Sequence, residues 1–284
     1  MDLNGTDIRL IAFDLDGTLL NSAKILTERN RIALEQAAKK GICLVPTTGR
    51  LFKGLPEEIR EFPFLRYAIT INGAAVFDTV TGDNLYSAEI PVENAIEIMS
   101  YLDHFPIIYD CYKDNTGWMT QSMWDRAEIF APNAYYVKSI RTNRKPVPEL
   151  KEFLKGRGGS VQKIQLFATD PALRTELLHE LPRRFIGLAV SSSVDRNVEI
   201  NHENANKGAA LLALASHLGL HRSQVMAFGD GLNDISMIRE AGIGVAMQNA
   251  VEEVKSVADL ITGSCEDSGV AQVLERLLQQ NAAE

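Results

Sequence analysis

The sequence predicts an α/β protein with a mainly parallel sheet, interrupted by an inserted α+β segment. Three observations carry this. Short apolar runs alternate with helix-period segments from Leu10 to Ala75, the same rhythm returns at Asn206, and the stretch between holds most of the turn chemistry and aromatics. The 284 residues are 45% hydrophobic and 23% charged, enough for a substantial core and near the length at which cores divide.

In order, Leu10-Ile11-Ala12-Phe13 reads as a buried strand. Thr27 caps a helix whose Ile32, Leu34, Ala37 and Ala38 fall near helical spacing, with Gly41 as its C′ residue. A second strand, Ile42 to Val45, ends in Pro46-Thr47-Thr48-Gly49-Arg50. A short helix around Glu57 to Phe62 leads to a third strand, Tyr67 to Ile71, ending at Asn72-Gly73. Strands separated by helices imply right-handed crossovers. The middle region predicts a helix from Val92 to Leu102, strands Ile107 to Tyr112 and Trp118 to Gln121, and a helix from Val147 to Leu154. A strand Val161 to Phe167, a helix Pro171 to Leu181 and a strand Gly187 to Ser191 complete it. The last third predicts helices over Lys207 to Leu218, Asn233 to Glu240, Val251 to Val257 and Val270 to Leu278. Between them fall strands Val225 to Phe228, Ile243 to Ala246 and Leu260-Ile261. The expected division is a core of 1–82 and 193–284 with an insert of 83–192.

A net charge of -8 leaves no global basic surface, so nucleic acid is not the expected partner. Cys43, Cys111 and Cys265 are scattered and without a CxxC pair, which argues for reduced cytoplasmic thiols over disulfides or structural zinc. Met1 to Asp7 lacks an export signal, and no apolar stretch reaches membrane-spanning length.

Asp14 and Asp16 stand two apart where the first strand gives way to Gly17. Carboxylates this close repel, so a cation or a tuned protonation must relieve them before an anionic substrate approaches. Three further polar sites follow strands or open helices: Thr48-Gly49-Arg50, Asn206-Lys207-Gly208 and Gly229-Asp230-Gly231-Leu232-Asn233-Asp234. Ligands of open parallel sheets bind beyond the carboxyl ends of the strands, so the four can share one crevice. An ionised Asp14 can attack phosphorus, and Asp16, held neutral while Asp14 is charged, can serve as general acid and then base. Lys207 and a metal would meet the phosphoryl charge. Mg²⁺ suits oxygen ligands from Asp14, the Asp16 carbonyl and Asp230, with Asn233 or Asp234 nearby. Thr48 offers a hydroxyl and Gly49 a close backbone approach at a helix start.

Taken singly, these motifs have blander readings. Asp-Gly is commonest as a turn, Thr48-Gly49-Arg50 as a helix cap, and a lone lysine as a solvated one. The 229–234 segment lacks the distal Glu of a calcium loop. Trp118, Trp124, Tyr135 and Tyr136 read as core aromatics. Joint occurrence of the four sites is what favours chemistry.

With these residues assembled, the chain resembles the haloacid dehalogenase (HAD) superfamily of phosphotransferases, and within it the Cof-type phosphatases. The first motif matches Asp14-Leu15-Asp16-Gly17-Thr18, the second Thr48, the third Lys207, and the fourth Gly229-Asp230 with Asn233-Asp234. The resemblance implies a Rossmann-like core with a C2-type α+β cap. It implies Asp14 as nucleophile, Asp16 as acid/base, and Mg²⁺ held by Asp14, the Asp16 carbonyl and Asp230. Arg50 and Asn72 match subgroup residues and receive a substrate-side role with Thr48, Gly49 and Lys207. The implied activity is hydrolysis of small phosphorylated metabolites, sugar phosphates first, by a cytoplasmic monomer or small homo-oligomer. A phosphosugar mutase with the same chemistry and a non-catalytic phosphometabolite sensor are the alternatives.

Overall fold

The computed structural model describes residues 3, 5–192 and 194–280. The apolar tetrad Leu10–Phe13 forms β1, buried at all four positions. Helix α1, Glu28–Lys39, starts where the Thr27 side chain accepts from the Asn30 N–H and stops before Gly41, whose φ is +80°. Ala33, Leu34 and Ala37 face inward, whereas Ile32, expected on that face, is exposed. Strand β2 is Cys43–Pro46, α2 is Glu57–Arg60, and β3 is Tyr67–Thr70. Strands β4, Ala75–Asp78, and β5, Asn84–Ser87, neither of them expected, form a three-stranded sheet with β3, which a parallel Thr47–Ile69 bridge ties to the end of β2.

The middle region begins with β6, Ile90–Pro91, and α3, Val92–Leu102. Strands β7, Ile107–Lys113, and β8, Thr116–Thr120, form a hairpin. Helices α4, Gln121–Asp125, α5, Ala127–Phe130, and α6, Ala134–Asn143, follow. They pack Trp124 and Tyr136 against a small cluster that includes Phe130 and Ile140, but Tyr135, expected in the core, is exposed. Arg144–Val147 is strand β9, and helix α7 starts only at Leu150 and ends at Arg157, so the expected helix from Val147 is corrected. Pro146 is tolerated because β9 lies at a sheet edge. Next come β10, Ser160–Val161, β11, Lys163–Ala168, and α8, Pro171–Arg184. Strands β12, Leu188–Ser191, and β13, Asn197–His202, close the region. The six-stranded sheet runs β12-β13-β11-β7-β8-β9.

The remaining elements match the expected rhythm: α9 Lys207–His217, β14 Val225–Gly229, α10 Ile235–Glu240, β15 Ile243–Ala246, α11 Glu252–Lys255, β16 Leu260–Ile261 and α12 Gly269–Gln280. Their strands complete a five-stranded sheet, β16-β15-β14-β1-β2, whose pairings are all parallel. The chain divides into two units, Met1–Tyr86 with Asn206–Glu284, and Ser87–Ala205. The second division falls later than the expected 192/193 because β13 pairs with both β11 and β12 and belongs to the inserted sheet. Each unit has its own apolar core. Among the described residues no helix is long and apolar enough to cross a membrane.

Candidate active site

Register brings three of the four polar segments to one edge. Phe13 pairs with Phe228 on one side and Pro46 on the other, so the residues just beyond β1, β2 and β14 emerge together. The Asp14 N–H donates to the Phe228 carbonyl at 3.0 Å, and the Thr47 N–H to the Phe13 carbonyl at 2.8 Å. The fourth segment joins them through α9, whose cap is Asn206 and whose first residue is Lys207.

Lys207 is fully buried, unlike the solvated lysine its type alone suggests. Its Nζ lies 2.6 Å from Asp14 Oδ1 and 2.5 Å from Asp234 Oδ1. Burial by itself would favour the neutral amine, but the two carboxylates reverse this and raise its pKa. Asp234 is fixed in turn, because its Oδ2 accepts the backbone N–H groups of Asp230 and Gly231, both at 2.9 Å. Asp230 Oδ1 accepts the Thr18 hydroxyl at 2.7 Å. Gly17 turns between them at φ +94°, and a Cβ there would collide with the Asp230 carboxylate. Only glycine meets both demands.

Burial pushes the Asp14 carboxyl up to about 8 against the pull of Lys207, and Asp234 and Asp230 add to the rise. Burial also lifts Asp230 to about 6, again with help from Asp234. Three carboxylates thus face one buried ammonium, and the site carries more negative charge than it neutralises. Ligand oxygens of Asp14, Asp230 and Asp234 all lie within 4.8 Å of one another. An excess of hard oxygen donors in so small a space fits a divalent cation. Asp14 and Asp230 are the better ligands, since Asp234 already spends its oxygens on Lys207 and two N–H groups.

Other expected residues sit differently. The Asp16 side chain turns away from this cluster: Arg50 grips it through Nε at 2.8 Å and Nη2 at 2.6 Å, and Lys24 Nζ lies 2.9 Å from it. Burial raises its pKa, but the two cations outweigh burial and hold it below the usual value. In this state Arg50 and Lys24 favour the ionised form of Asp16, so the proton-donating role expected of it requires those contacts to give way. Arg50, assigned to substrate, spends its fork on Asp16. Thr48 is buried, and its hydroxyl accepts the Arg50 N–H at 3.2 Å. Asn233 donates its side-chain amide to Asn72 Oδ1 at 3.2 Å.

Three residues escaped the sequence reading. Thr18 holds Asp230 and was readable only as a turn residue inside its motif. Asn249 donates to the Gly17 carbonyl at 2.8 Å and accepts the Cys265 N–H at 2.9 Å, with no local signal to mark it. Lys24 reaches Asp16 from an otherwise ordinary loop.

A profile of haloacid dehalogenase-like hydrolases matches residues 11–274. The chain is 34% identical over 271 residues to the 5-amino-6-(5-phospho-D-ribitylamino)uracil phosphatase YcsE of Bacillus subtilis, spanning 94% of this chain and 95% of that one. It is 29% identical over 274 residues to the HMP-PP phosphatase of Serratia proteamaculans, spanning 95% and 96%. The solved structure of a haloacid dehalogenase-like hydrolase from Bacteroides thetaiotaomicron superimposes with a TM-score of 0.81 at 29% identity, covering 95% of this chain and 99% of that one.

Proposed function

Because the chain belongs to the haloacid dehalogenase-like hydrolase family and is a phosphatase, we propose that it hydrolyses small phosphate monoesters, sugar phosphates first, through an aspartyl phosphate on Asp14. The observation that carries this reading is Lys207, buried between Asp14 and Asp234 with Asp230 alongside. A phosphoryl group entering there meets a nucleophile and a fixed cation together.

In the first half-reaction an Asp14 oxygen bonds to phosphorus as the ester P–O bond breaks, and Asp16 gives its proton to the departing oxygen. In the second, water attacks the phosphorus, Asp16 takes the water proton, and phosphate leaves with the Asp14 carboxylate restored. Asp16 can act as the acid only after Arg50 and Lys24 release it and it takes up a proton from solvent, so substrate entry has to compete for those cations. Lys207 and the Thr48 hydroxyl bind the phosphoryl oxygens. Asp14 and Asp230, with the Asp16 carbonyl, would hold Mg²⁺, which supplies positive charge against the same oxygens. The inserted unit takes the part of a C2-type cap that selects the leaving group. YcsE, named for a phosphoribitylamino substrate, supports a polyhydroxylated leaving group.

Purified protein is expected to release phosphate from an aryl phosphate only with Mg²⁺, and Asp14→Asn to abolish turnover. Undiminished turnover in that variant removes the covalent mechanism. In a panel of sugar phosphates, free phosphate identifies water as the acceptor, whereas an isomerised phosphosugar identifies a mutase.

A further inference from the structure

Ile71, Asn72 and Gly73 are three consecutive residues at positive φ, 55°, 59° and 92°. For a β-branched isoleucine this is an outlier, and such a conformation persists only where its surroundings over-determine it. Here the Ile71 N–H donates to the Arg50 carbonyl and the Asn72 N–H to the Thr48 carbonyl, both at 3.0 Å, while the Ile71 side chain is fully buried. These bonds fasten the turn to the 48–50 loop. On the next side, a Cβ on Gly73 would fall 2.8 Å from the Lys207 backbone nitrogen. The Asn72 side chain faces a third segment: Oδ1 accepts the Asn233 amide at 3.2 Å, and a Cβ on Gly49 would fall 2.7 Å from that same oxygen.

Asn72 thus stands where the segments bearing Thr48, Lys207 and Asp230 meet. Asn233 directly precedes Asp234, whose carboxylate holds the Asp230 and Gly231 N–H groups. We infer that Asn72 is a positioning residue that sets the 230–234 loop, through Asn233, against the 48–50 loop, so that Asp230 is aligned before metal and phosphate arrive. It does so without binding substrate. The inference rests on the reading of Asp230 as a ligand for a divalent cation. A strained turn is well suited to the task, because its backbone bonds to the 48–50 loop and the burial of Ile71 hold the Asn72 backbone in place.

Magnesium titrated calorimetrically into the substrate-free protein, beside kcat and KM for an aryl phosphate, tests this. Asn72→Ala is expected to weaken magnesium binding about tenfold, the low end of the loss on removing an outer partner of a ligand. It should lower kcat and leave KM within about twofold, as loss of alignment rather than of substrate contact requires. Asn233→Ala should do the same, and the double variant should be no worse than either single one. Gly49→Ala, which pushes on Oδ1 with Asn72 in place, should also weaken magnesium binding and serves if Asn72→Ala fails to fold. A raised KM with unchanged magnesium affinity makes Asn72 a substrate contact and overturns the inference, as does strict additivity of the Asn72 and Asn233 variants. Unchanged magnesium affinity in Gly49→Ala also overturns it. Wild-type binding that survives Asp230→Ala would instead remove the reading of Asp230, leaving the two failures distinct.

Discussion

A lysine with no solvent exposure keeps its charge only when carboxylates offset the loss of water, and Lys207 has two. The converse also holds, since Asp14 and Asp234 depend on that one ammonium. Replacing it by an apolar side chain of similar length leaves buried acids facing each other. Lys207→Met is expected to lose turnover and to cost about 3–5 kcal/mol of stability, the usual result of breaking a buried pair from one side. Urea unfolding measures the cost, and a loss below about 1 kcal/mol would mean that the carboxylates relax apart or take up protons. Asp16 contrasts with this. Its partners Arg50 and Lys24 are partly exposed, so its ion pairs are exchangeable, as the proposed acid/base role of Asp16 requires.

At the scale of elements, what was legible follows from how each segment is buried. Strands of the parallel sheet are covered on both faces and read as unbroken apolar runs, so β1, β2, β14 and β15 stood out in the sequence. Strand β9 holds Arg144, Lys145 and Pro146, and its place at a sheet edge is a tertiary fact that no local pattern carries. The polar face of the inserted sheet hid in the same way: Arg144 pairs with Asp110, and Lys163 with Glu199, across strands far apart in sequence. The residues of the candidate site were legible because each lies at a strand end or helix start. Their partners were not, since Arg50 meets Asp16 and Asn72 meets Asn233 only through the fold. Asn30 is a further hidden tie. Buried in α1, it donates to the Leu19 carbonyl at 2.9 Å and accepts the Ala271 N–H in the first turn of α12 at 3.0 Å. That N–H has no partner within its own helix. Asn30→Ala is therefore expected to cost about 2 kcal/mol by thermal or urea unfolding, and a cost within experimental error would mean that water replaces the side chain.

For the molecule as a whole, folding brings Asp14 against Asp230 and Asp234, from which the unfolded chain keeps it apart. Asp14 follows β1 and the other two lie in the segment after β14, so the repulsion of Asp14 by that pair belongs to the native state. A cation bound there relieves that repulsion and has no comparable site on the unfolded chain, so binding must raise stability by mass action. At a hundredfold excess over its dissociation constant, magnesium should add about 2.7 kcal/mol. That corresponds to roughly 5–10 °C in the melting temperature of a domain of this size. Excess chelator should reverse the shift. Asp230→Asn separates the site from general salt effects: it removes one charge and one ligand, so the variant is expected to melt higher than wild type without magnesium and to lose most of the shift with it. An equal shift in wild type and variant would place the ion elsewhere and remove Asp230 from its coordination.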